Sequence, residues 1–313
     1  MTLWWLSAVS GMAVALLVPF AALADTGAAS TGTGRGVGNT AVFIVAGQSN
    51  NGCSSTASAV PLEPSPTSFT SYFSNGTSGD LEDNVTSCGA PGYSSAWPTL
   101  ANTWQANVGE PIRLIRLAVG ATCLAADPLD NGCTWDDLGT DPEPRWGPAA
   151  GTSYANMLTR VAALGPGSSL RAVLWVQGEC ESASDCDLTP NGRGDIDGDY
   201  QAALEDFADN IQSDFGVPVI ASPISDYSGL PGGVCVPTGA PSAGRVEVHD
   251  GIVDAIAAHP HVLQGPDLDD LELETDCTHV NDVVTLGQRW YTAIAAAGLP
   301  IRRTDGCSSI YLQ

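Results

Sequence analysis

The alternation of short apolar runs with longer helical patterns constrains this chain most. Ala41 to Ala46 reads as a buried strand by length and β-branching, as do Ile112 to Ala118, Leu170 to Val176 and Val217 to Ser222, with His261 to Gln264 a weaker fifth. Between and after them, Tyr154 to Leu164, Asp199 to Phe215, Val246 to Ala258 and Val283 to Ala297 carry a helical repeat of apolar residues. Strands that are apolar on both faces, separated by helices, belong to a parallel sheet covered on both sides. The expected fold is therefore a three-layer α/β/α sandwich with a mainly parallel, about five-stranded sheet.

One domain over residues 40–313 accommodates all of these elements, without an internal repeat. Ahead of it, residues 1–24 read as a signal peptide: an apolar stretch from Leu3 that ends in Ala22-Leu23-Ala24 before Asp25. The n-region has no Lys or Arg, and a stretch of this length also suits an uncleaved anchor. Residues 25–39 form a Gly/Ser/Thr/Ala leader with nothing to bury. Two irregular stretches, Asn51 to Pro98 and Ala121 to Gly151, interrupt the domain, and long loops in a compact fold are usually functional or disordered. In an open parallel sheet the ligand cleft lies beyond the carboxyl ends of the strands, so chemistry is sought in the loops leaving those ends.

Charge narrows the partners. Against 35 acidic residues stand 11 basic ones, all Arg, for a net charge of −24. Scattered cations on so acidic a chain exclude nucleic acid, and they exclude stable binding to an anionic membrane unless the leader is retained. A high density of carboxylates is a solubility device, suited to a saline medium, or an attractor for a cationic ligand. The expected location is extracellular, and there nine Cys suggest disulfides. No Cys-x-x-Cys occurs, and the sequence proposes Cys123 with Cys133, Cys180 with Cys186, Cys53 with Cys88 and Cys235 with Cys277, leaving Cys307 odd.

Four blocks at the strand ends carry chemistry. Gly47-Gln48-Ser49-Asn50 follows the first strand, where a Ser either caps a helix or serves as a nucleophile activated by a neighbouring base. Asp276-Cys277-Thr278-His279 precedes the last helix, and a carboxylate three residues from a His can hold one imidazole tautomer and stabilise the imidazolium. Val119-Gly120-Ala121-Thr122 follows the second strand, and a Gly there lets its N–H approach a ligand closely. Trp175-Val176-Gln177-Gly178-Glu179 ends the third and brings an amide to the same rim. Singly, each has a plainer reading as a turn, a cap or a surface pair; together they form the set that acyl transfer needs.

In order and position the four blocks resemble SGNH hydrolases, a flavodoxin-like fold. They resemble most the sialate O-acetylesterase and carbohydrate esterase family 6 (acetyl xylan esterase) branch, with the likeness running from Val42 to Trp290. The resemblance implies Ser49 as nucleophile, His279 as general base and acid, and Asp276 as its orienter. It implies an oxyanion hole made of the Ser49 and Gly120 backbone N–H groups and the Gln177 side chain, with Asn50 and Glu179 in support. Glu179 is either a brace for the site loops or an alternative acid for His279. Ala121, Val176 and Asn51-Gly52 depart from the residues usual in the branch, and none of them is a triad or oxyanion residue. The implied activity is removal of short acyl groups, above all acetyl, from carbohydrate such as acetylated xylan or sialic acid, or from small esters, without a required cofactor.

Other readings are a lipase, thioesterase or polyester hydrolase of the same fold, or a carbohydrate-binding module without chemistry. For the last, Trp97, Trp104, Trp135 and Trp146 are either sugar-stacking surfaces or core anchors. A separate acidic loop places Asp195, Asp197 and Asp199 at alternate positions. These are weak candidates for a structural calcium, since the EF-hand register is not met; a solvated acidic loop is the plainer reading.

Overall fold

The computed structural model describes residues 40–51, 70–74, 77–79, 95–118, 124, 146, 152–165, 167–179, 196–225, 243–271, 273 and 279–299. All belong to one compact unit, Val37–Gln313. The proposed signal peptide, the leader and all nine Cys lie outside the described residues. None of the described helices is long and apolar enough to cross a membrane.

The five expected strands are present as β1 (Thr40–Gly47), β4 (Ile112–Arg116), β5 (Ser168–Val176), β6 (Val219–Ser222) and β7 (Val262–Gln264). Two more, β2 (Thr70–Ser74) and β3 (Thr77–Gly79), arise inside the stretch read as irregular, so the sheet has seven strands rather than five. Their order is β3-β2-β4-β1-β5-β6-β7, every pair parallel except β2 with β3. The elements before β5 fill one side of β1 and those from β5 onward fill the other. The chain therefore reverses its direction of travel across the sheet at β1, and that is where a parallel sheet opens its crevice.

Alternation along β1 assigns the faces. Ala41, Phe43 and Val45 join one core with α1 (Trp97–Val108) and α5 (Val283–Ala296). Val42, Ile44 and Ala46 join the other with α2 (Thr152–Ala162), α3 (Ile196–Phe215) and α4 (Ala243–Ala258). Along β1 every residue from Ala41 to Gly47 is thus buried whichever way it points, as a continuous apolar run requires. On the first face α1 and α5 approach so closely that a Cβ on Gly287 would stand 2.5 Å from the Ala96 carbonyl oxygen.

Aromatic residues fill both cores. Phe43 meets Trp104 edge to face at 5.4 Å, and on the other side Trp175 lies 4.6 Å from Phe207 and 5.3 Å from Trp146. Trp97, Trp104 and Trp146 are buried, so these three are core anchors and not sugar-stacking surfaces; Trp135 lies outside the described residues. Two of the few cations serve structure: Arg171 pairs with Glu110 at 2.9 Å inside the fold, and Arg289 forks onto Asp270 at 2.5 and 2.9 Å on the surface. The guanidinium holds the Asp270 carboxyl below the usual range.

Candidate active site

The carboxyl end of β1 is built around a residue without a side chain. Gly47 has φ 109°, and a Cβ there would stand 2.0 Å from the Val176 carbonyl oxygen of β5. The same carbonyl accepts the Gln48 N–H at 2.7 Å, which turns the chain out of the strand. The next residues, Ser49–Asn51, form a single 3-10 turn, closed by the Asn51 N–H donating to the Gln48 carbonyl at 3.1 Å. Ser49 therefore opens a turn immediately past the tip of the central strand.

Three side chains of this turn tie it to distant parts of the chain. The Gln48 Oε1 accepts the Gly178 N–H at 3.0 Å. Asn51 is fully buried, and its amide donates to the carbonyls of Ala46 and Leu174, both at 2.6 Å, while its own carbonyl accepts the Trp97 indole N–H at 2.9 Å. Asn51 is one of the departures from the family pattern, and here it locks the ends of β1 and β5 together and seats α1 on the turn.

Asn50 spans more of the chain than Gln48 or Asn51. Its Nδ2 donates to Glu179 Oε1 at 2.6 Å, and its Oδ1 accepts the Val280 N–H at 2.9 Å. Val280 directly follows His279, so the residue after Ser49 is bonded to the residue after His279. One amide thus joins the Gly47–Asn50 block to Glu179 of the Trp175–Glu179 block and to the residue that follows His279. His279 is half-buried at this junction. Leu273 and Val280 pair in an isolated antiparallel bridge, and α5 starts soon after, capped by the Asp282 carboxylate accepting the Thr285 N–H at 2.9 Å. Glu179 is buried and accepts the bond from Asn50.

Gln177 is wholly buried directly past β5. The Tyr200 hydroxyl lies 2.8 Å from its backbone oxygen and 2.6 Å from its Oε1, one proton serving both. With the amide oxygen so engaged, the donor end of Gln177 is its NH2. Gly178 follows with φ 132°, and a Cβ there would meet Val248 at 2.5 Å.

Asp276, Gly120 and the Ser49 side chain lie outside what the structure describes; of the predicted set it describes Asn50, Gln177, Glu179 and His279, with Asn50 bonded to Glu179 and to Val280, the residue after His279. Asp195 is outside as well, and Asp197 and Asp199 fall within the helix α3. Among the described residues no three His, Cys, Asp or Glu side chains group as a metal site. Sequence reasoning missed Tyr200 and the structural roles of Gln48 and Asn51. The one signal for Tyr200 was an aromatic residue with a polar tip at the start of a helical apolar pattern.

Fold and site together define an ester hydrolase of the three-layer α/β class. Over residues 39–296 the chain matches the model of the carbohydrate esterase, sialic acid-specific acetylesterase family, and it belongs to that family. It is a carboxylic ester hydrolase that removes acetyl groups. No curated protein matches the chain. Among solved structures it is similar to a protein from Arabidopsis thaliana, at 17% identity and TM-score 0.57 over 82% of this chain and 98% of that one. It is similar to NanS at 14% identity and TM-score 0.53, over 83% of this chain and 98% of that one. A carbohydrate acetylesterase from Xanthomonas citri, at 15% identity and TM-score 0.53, is covered over 55% of its length by 80% of this chain. At these identities the three show the shared fold.

Proposed function

We propose that the protein is an exported serine esterase that removes acetyl groups from carbohydrate, of the kind found on xylan or sialic acid, by a Ser-His-Asp mechanism. Ser49 attacks the ester carbonyl while His279, oriented by Asp276, takes its proton and passes it to the leaving sugar hydroxyl. Water then attacks the acetyl-enzyme, giving its proton to His279, and acetate leaves as Ser49 regains its own. The Ser49 and Gly120 N–H groups and the Gln177 NH2 stabilise the oxyanion of each tetrahedral intermediate. Asn50 and Glu179 hold the nucleophile turn against the His279 loop.

The observation that carries this reading is the Asn50 clamp, which bonds the neighbour of Ser49 to the neighbour of His279 across 230 residues of chain. Export is supported by the apolar stretch of residues 1–24 and the nine Cys. Ser49→Ala is expected to abolish turnover of p-nitrophenyl acetate while leaving the circular dichroism spectrum and the thermal midpoint in place. Retained turnover would remove Ser49 from the mechanism. Release of acetate from acetylated xylan compared with an O-acetylated sialic acid assigns the sugar, and a preference for octanoate over acetate esters would favour a lipase-like enzyme instead.

A further inference from the structure

We propose that Tyr200 is a positioning residue for catalysis, fixing the rotamer of Gln177 so that its NH2 faces the developing oxyanion. The inference rests on the reading of Gln177 as an oxyanion donor. An oxyanion donor stabilises the transition state only when it is held in place beforehand, so the role requires something that fixes the side chain. At Gln177 that is the Tyr200 hydroxyl, 2.6 Å from Oε1 and 2.8 Å from the backbone oxygen of the same residue. Removing the hydroxyl removes both contacts to Gln177.

The surroundings hold Tyr200 in place. It is buried on α3 in the core that α3 shares with α4, and a Cβ on Gly178 would stand 3.5 Å from Tyr200 Oη. Gly178 also gives its N–H to Gln48 Oε1 at 3.0 Å, so the tyrosine, the amide and the nucleophile turn form one connected chain of hydrogen bonds. Preorganisation of this kind acts on the transition state more than on substrate binding, which assigns it a kinetic signature.

The test compares Tyr200→Phe, Gln177→Ala and the double variant on p-nitrophenyl acetate. Rates are expressed per active site titrated with a fluorophosphonate, so that an unfolded fraction does not count. Tyr200→Phe is expected to lower kcat about ten- to a hundredfold with KM within about twofold, somewhat less than loss of an oxyanion donor itself. In the double variant kcat is expected to equal that of Gln177→Ala alone. Unchanged kcat in Tyr200→Phe beside a large loss in Gln177→Ala overturns the role of Tyr200 and leaves the oxyanion reading intact. Losses that multiply in the double variant overturn it equally. Full activity in Gln177→Ala removes the oxyanion reading, and the Tyr200 role with it. If Tyr200→Phe does not fold, 4-fluorophenylalanine at position 200 fills the hydroxyl's space with no proton to donate and is expected to lower kcat in the same range; unchanged kcat overturns the proposal.

Discussion

Gly47 leaves no room for any side chain. Its φ lies in the region that L-residues avoid, and its missing Cβ would collide with a carbonyl fixed in the sheet. Gly47→Ala is expected to cost about 3 kcal/mol or more, the sum of backbone strain and displacement of a core strand, and to inactivate the enzyme. Thermal denaturation and p-nitrophenyl acetate turnover check this, and a variant with wild-type midpoint and rate would refute the clash. The residues of this turn were legible as a block in the sequence because they are consecutive. What Gln48, Asn50 and Asn51 do was not, since their partners lie between 5 and 230 residues away and belong to other elements. Tyr200 was hidden for the same reason, its meaning residing wholly in Gln177.

Among the elements, strands with both faces buried and helices with a clean apolar repeat declared themselves. Helix α1 did not, although Trp97, Leu100, Ala101, Trp104 and Val108 follow helical spacing, because Pro98 and the Ser-rich approach read as loop. At the first turn, however, Pro forfeits no hydrogen bond. Strands β2 and β3, Thr-Ser-Tyr-Phe-Ser and Thr-Ser-Gly, are too short and polar to stand out, and they exist because β4 offers an edge to pair with. Helix α5 matters most to the site, since it starts four residues after His279. Asp282→Ala removes its cap and is expected to cost about 1 kcal/mol, a drop in melting temperature of about 2–4 °C. Asp282→Asn, which also caps, is expected to restore most of it; equal midpoints for the Ala variant and the wild type would show that the cap contributes nothing.

For the whole molecule, charge acts as a filter and a medium rather than as a mechanism. A net charge of −24 repels polyanions and, through self-repulsion, weakens the fold wherever salt is scarce. Raising NaCl from about 0.1 to 1 M shortens the screening length from about 10 to 3 Å. The melting temperature is therefore expected to rise, with kcat/KM on a neutral acetate ester holding steady. A steep fall in kcat/KM would instead indicate that the carboxylates attract a cationic substrate.

The Asn50 clamp also has a meaning in time. Its two bonds close chain segments of 129 and 230 residues, and such long-range closures form only after the intervening strands have docked. The clamp is therefore among the last contacts the chain can complete, because it needs the turn after β1, the loop after β5 and the segment before α5 in place together.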